Sequence, residues 1–163
     1  SDLVGKGLGG SLYPVSAVIA RPEYNICGDI SLGHYTHEKS PLGCAVGLAL
    51  IEYIEKEDIL GHVMELSALM KRRAEDMKKK YEAVGDVRLI GALLGIELVK
   101  SRKTREKAVD EAEKILYECL ENGLSFKISQ GNVLTLAPPL IITEEELDHA
   151  MDIVENAIRK YCN

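Results

Sequence analysis

No apolar run in this sequence approaches the ~20 residues that a membrane-spanning helix needs. No charged-then-apolar leader opens it either, which sets the expectation of a cytoplasmic protein. An excess of basic residues is lacking too. Twenty Lys and Arg stand against 26 Asp and Glu, a formal net charge of −6, which argues against nucleic acid or an acidic membrane surface as partner. Cysteine is sparse. Cys27, Cys44, Cys119 and Cys162 lie far apart with no C-x-x-C spacing, a pattern of reduced thiols rather than of a disulfide framework. Internal repeats and low-complexity segments are absent.

What is present is a hydrophobic content of 46% in 163 residues, enough for one domain and perhaps a fraction of another. The chain is organised around Asp2-Leu3-Val4-Gly5-Lys6-Gly7-Leu8-Gly9-Gly10. Glycines let a bulky group approach the backbone, and the lysine puts a primary amine on a flexible arm there. Such an amine can form a Schiff base with an aldehyde. A phosphate-cradling P-loop needs Ser or Thr after the lysine, where this chain has Gly7. Gly5, Gly7 and Gly10 match G-x-G-x-x-G. A dinucleotide fingerprint, however, needs a strand before it and a helix after it. No strand is expected before Gly5, and Leu12–Ala20 reads as loop and then strand. A glycine-rich surface loop with an incidental lysine stays open on composition alone.

Residues 21–40 read as irregular. His34 and His37 have the spacing H-x-x-H, but a metal needs a third ligand. His62 and His149 fall on predicted helices, so no metal site is expected. Ser40 and Pro41 are a good N-cap and first helical residue. The helix over 42–55 is apolar nearly all round, which points to burial on all sides. It would cross between two domains, and in this chain part of it should be exposed and prone to association. A second helix over 59–82 turns Leu60, Val63, Met64, Ser67, Met70, Ala74, Met77 and Tyr81 to one face, with Gly85 as its stop. Its lysines and arginines alternate with acids as a solvated face. Strands follow at 87–90 and 93–99, a helix at 107–122, and strands at 124–128 and 133–137. Thr143 and Glu146 form a capping box for a last helix. The class is α+β: a small antiparallel or mixed sheet with helices packed on one face.

Three segments resemble class III pyridoxal-phosphate-dependent aminotransferases of fold type I. They are Asp2 to Gly10 with Pro14 and Val18-Ile19; Thr36 to Pro41, at the family's T-F-G-G-N-P; and Gly85-Asp86-Val87-Arg88 with Leu94-Gly95-Ile96-Glu97-Leu98. The resemblance spans essentially the whole chain but only the C-terminal part of such an enzyme. It implies that residues 1–40 are a remnant of the large cofactor domain, 41–84 connecting helices and 85–163 the small C-terminal domain. The opening inside a motif fits that expectation of a fragment, which alone would bind the cofactor weakly and be inactive. In the homodimeric family, Lys6 would hold pyridoxal phosphate and shuttle a proton at the substrate carbon. Thr36 would reach the cofactor phosphate of the other subunit, in surroundings made more polar by His37, Glu38 and Lys39. The implied reaction moves an amino group between a small-molecule amino donor and a keto acid or aldehyde acceptor.

At one position the chain departs from the family. The strand before the double proline carries there an arginine that clamps a substrate α-carboxylate, and here it reads Val133-Leu134-Thr135-Leu136-Ala137. A hydroxyl cannot replace that charge. Thr135 therefore adds weight to a racemase or epimerase, or to an enzyme for another amine. A plain β-strand role for Thr135 also remains, and a non-catalytic dimerisation domain is the reading from outside enzymology.

Overall fold

The computed structural model describes residues 2–30, 33, 35, 36, 38 and 40–162. The contacts divide the chain into two units, Ser1–Ile59 and Leu60–Asn163.

In the first unit, strand β1 (Asp2–Val4) pairs antiparallel with β2 (Ala17–Ile19), Leu3 opposite Val18. A strand before Gly5 corrects the expectation that none precedes the lysine. With three residues all exposed, β1 carries no alternating pattern to reveal it. The dinucleotide reading still fails, now on topology. A 3-10 turn, Lys6–Gly9, follows β1 and the chain returns antiparallel, whereas that motif needs a parallel crossover through an α-helix.

Helix α1 (Pro41–Lys56) begins with proline in its first turn, and Ser40 occupies the N-cap without a side-chain hydrogen bond. Its buried positions are Gly43 and Gly47. A Cβ on Gly43 would come within 3.1 Å of the Tyr13 ring, and one on Gly47 within 3.7 Å of the Leu8 carbonyl oxygen. The glycines thus let α1 lie close against the segment that follows β1. Leu42, Leu48, Ile51 and Tyr53 on the rest of α1 are exposed.

The second unit is a four-stranded antiparallel sheet in the order β3-β4-β6-β5, with β3 Val84–Ile90, β4 Leu93–Leu98, β5 Lys127–Ser129 and β6 Val133–Leu136. The register aligns Val87, Ile96, Leu134 and Ile128 in one row and Leu89, Leu94 and Leu136 in the next. These rows face the core, where Leu94, Ile96 and Leu134 are fully buried. Each such side chain contributes ~2–3 kcal/mol through burial. Helix α3 (Val109–Glu121) packs on β4, β5 and β6, and α4 (Glu144–Tyr161) packs on α3. Thr143 and Glu146 form the expected reciprocal capping box.

Helix α2 (Ile59–Lys80) departs from the expected face and end. Leu60 and Met64 are exposed, whereas Ile59, Leu66 and Leu69 join Val63, Met70, Ala74 and Met77 in the core. Gly85 does not stop this helix. It lies in β3 beside a register irregularity, where a Cβ would stand 2.8 Å from both methyls of Val99. Arg102 closes the helix end instead, donating to the carbonyls of Lys78, Tyr81 and Val84. The Lys78 and Tyr81 carbonyls lie at the α2 terminus, where a helix leaves carbonyls without partners, and the Val84 carbonyl belongs to the start of β3.

Candidate functional site

Lys6 opens the 3-10 turn with its backbone in the left-handed region, φ 53°. Few non-glycine residues sit there, and the strain of ~1–3 kcal/mol is characteristic of functional positions. Gly10 continues the chain at φ 58°. The lysine is exposed, and its side chain has no hydrogen bond or ion pair among the described residues. A Cβ placed on Gly7 would meet nothing within 4 Å, so the space beside Gly7 is open. An unpaired primary amine next to a glycine opening fits a flat aldehyde cofactor.

Thr36 is exposed in a short turn. Its residue lines a cavity of about 1060 Å³ together with Tyr13, Val15, Ser16, Tyr35 and Glu38. Lys6 is not among the lining residues, so the structure does not bring the two predicted cofactor residues into one cavity. Glu38 accepts a hydrogen bond from the Tyr35 backbone N–H at 3.4 Å. His34, His37 and Lys39 lie outside the described residues. Among the described residues no group of three or more His, Cys, Asp or Glu is placed to hold a metal.

Thr135 belongs to the second unit, on the sheet face turned away from the buried rows. Its Oγ1 donates to Ser129 Oγ at 2.9 Å. The register continues from Thr135 to Gly95 on one side and Lys127 on the other, and from Gly95 to Arg88. A cavity of about 350 Å³ is lined by Arg88, Ile90, Leu93, Gly95 and Thr135, among others. Arg88 Nη1 donates to Asp86 Oδ2 at 2.8 Å and to Glu97 Oε2 at 2.7 Å. The bond to Glu97, ahead of the one to Asp86, raises the guanidinium pKa and holds it charged. Lys127 is exposed with no partner among the described residues. Sequence reasoning singled out Thr135 but missed Arg88 and Lys127 beside it. The signal that joins them is the register between β4 and β6, which are separated in sequence by α3 and β5.

The class III aminotransferase pattern matches residues 2–158. Among curated proteins, the chain is 52% identical to the (R)-1-hydroxy-2-aminoethylphosphonate ammonia-lyase of Vibrio splendidus, over 98% of this chain and 33% of that protein. It is 43% identical to the leucine/methionine racemase of Thermococcus litoralis, over 95% of this chain and 35% of that protein. Its fold superposes on the PMP-bound form of an aminotransferase from Vibrio fluvialis with a TM-score of 0.88 and 25% identity, covering 98% of this chain and 37% of the other. The chain therefore spans about a third of the length of the curated relatives it matches. The match along 2–158 and the shared α+β fold carry one conclusion: the chain belongs to the class III aminotransferase family.

Proposed function

We propose that Lys6 is the lysine that carries pyridoxal phosphate, and that these residues are the C-terminal part of an enzyme acting on the amino group of a small amine. The observation that carries this reading is the exposed Lys6, whose side chain has no partner among the described residues, on a left-handed turn beside the open Gly7 position. Bound there, the cofactor would supply an electron sink for charge developing at the amine-bearing carbon. With the cofactor held there, Lys6 Nζ would take a proton from that carbon and return it to a neighbouring atom. The Thr36 hydroxyl would donate to the cofactor phosphate of a second protomer in a homodimer. In this reading residues 1–40 belong to the cofactor domain, 41–84 connect, and 85–163 form the small domain.

Transfer of the amino group to a keto acid or aldehyde is the reaction that family membership supports first. A second reading, loss of ammonia or inversion at the amine-bearing carbon, is favoured by Thr135. It stands where the family's carboxylate-clamping arginine is expected, and the lyase and racemase relatives share far more identity with this chain than the aminotransferase structure does.

The deciding experiment presents the full-length protein with a panel of amines. It follows keto-acid-dependent transfer, ammonia release and the chirality of unreacted substrate in parallel. Cofactor-dependent turnover in at least one of the three supports the proposal and selects the reaction. A cofactor-loaded protein silent in all three overturns it.

A further inference from the structure

Apart from the lysine and its cofactor, we infer that the second unit carries a binding site for a phosphate-bearing small molecule, with Arg102 and Arg105 as its cationic ligands. The site lies between the end of α2, the paired strands β3 and β4, and the loop over 101–105. It depends on no assignment of the reaction.

The chain as a whole is acidic, with a net charge of −6, yet Lys100, Arg102, Lys103, Arg105 and Lys107 stand within eight residues against the single acid Glu106. Such a local reversal of sign makes a positive field that draws anions. The loop borders a cavity of about 390 Å³ lined by Lys78, Arg88, Arg102 and Arg105 together with Asp86 and Glu97. Four cations therefore meet two carboxylates. The carboxylates are already matched: Asp86 takes Lys78 at 3.1 Å and Arg88 at 2.8 Å, and Glu97 takes Arg88 at 2.7 Å. Lys78 and Arg88 are spent on these pairs, and the excess of positive charge is that of Arg102 and Arg105. Glu82, its side chain 66% exposed, approaches Arg102 Nε only to 3.7 Å, a contact too solvated to cancel that excess.

The two arginines are held differently. Arg102 Nε donates to the Val84 carbonyl, and Nη2 donates to those of Lys78 and Tyr81. These bonds fix the guanidinium plane and leave both Nη1 hydrogens without an acceptor among the described residues. The Arg105 side chain has no partner among the described residues. Its backbone is left-handed, φ 56°, and its N–H closes the loop onto the Ser101 carbonyl at 2.9 Å. That conformation is costly for a residue with a side chain. An anchored guanidinium and a free one on one cavity make a grip suited to a phosphate, whose several oxygens accept charge-assisted bonds from both. A phosphate ester carries between one and two negative charges near neutral pH. It balances both arginines more fully than a single carboxylate does.

The test uses the full-length protein saturated with its cofactor, and titrates inorganic phosphate against acetate at constant ionic strength, followed by calorimetry. Saturable binding of phosphate at one site per chain, with acetate weaker, is expected. Arg105→Gln should weaken phosphate roughly ten- to a hundred-fold, the size of a lost hydrogen bond to a charged group. Arg105→Lys, which keeps the charge but not the fork, should fall in between. Neither change removes a contact of the fold, because the Arg105 side chain makes none. Lys114→Gln, an exposed lysine of α3 outside the cavity, should leave binding unchanged. The inference is overturned by wild-type protein that shows no saturable phosphate binding, by an affinity within twofold of wild type in Arg105→Gln, or by an equal loss in Lys114→Gln.

Discussion

Arg73 on α2 and Asp148 on α4 form an ion pair at 2.5 Å, with the arginine side chain only 18% exposed. The same guanidinium also donates to Asp152 and Glu155, so one cation serves three carboxylates of α4. Its removal takes the shared cation from Asp148 and Asp152, while Glu155 keeps Lys80 at 2.8 Å, and losing a largely buried cation costs more than the loss of an exposed pair. Arg73→Met should lower unfolding stability by about 2 kcal/mol, read from urea titration. Combination with Asp148→Asn and Asp152→Asn should recover part of that loss.

Gly85 predicts a second stability effect. A methyl there meets both Val99 methyls at 2.8 Å, and a packed core resists such overfilling at ~1–3 kcal/mol. Gly85→Ala should destabilise by that amount, and Gly85→Ala with Val99→Ala by less than the two changes added.

The helix starts, the capping box at Thr143 and the β3–β4 hairpin around Gly91-Ala92 were legible in the sequence, because each has a local signal. The inward face of α2 was only partly so. Leu60 and Met64 have the right 3–4 spacing, but Leu66 and Leu69 share the apolar character and hold the buried side. Burial there is decided by which neighbour packs against the helix, not by spacing. Gly85 looks like a helix stop in sequence and is a packing glycine in space. At the candidate site Lys6 announced itself by its glycines. The row from Arg88 to Lys127 did not, because it depends on the pairing of β3 with β4, β4 with β6 and β6 with β5, which no local pattern encodes.

Cys119 gives a prediction in pH. Burial pushes its thiol up to about 11. In the unfolded chain the thiol ionises near its ordinary value of ~8.5. The unfolded state therefore loses its proton first as pH rises. The contribution of Cys119 to stability is whole below pH ~8.5 and is lost progressively up to about 11. Alkylation of Cys119 at pH 8 should be at least ~100-fold slower in the folded chain than in urea, since the thiolate is the nucleophile. Equal rates in the two states would show that the thiol is not buried.

Thr135→Arg, in the full-length enzyme, restores the residue type that clamps an α-carboxylate in this family. We expect catalytic efficiency toward α-amino acids to rise at least tenfold, and simple carboxylates to become better inhibitors. Unchanged values for both would place the Thr135 side chain away from the substrate.

The most direct test of the account is borohydride reduction of the full-length holoenzyme, followed by digestion and mass mapping of the pyridoxyl-labelled peptide. The account predicts a single label, on Lys6, within Asp2-Leu3-Val4-Gly5-Lys6-Gly7-Leu8-Gly9-Gly10. A label on any other lysine, with Lys6 unmodified, would contradict it.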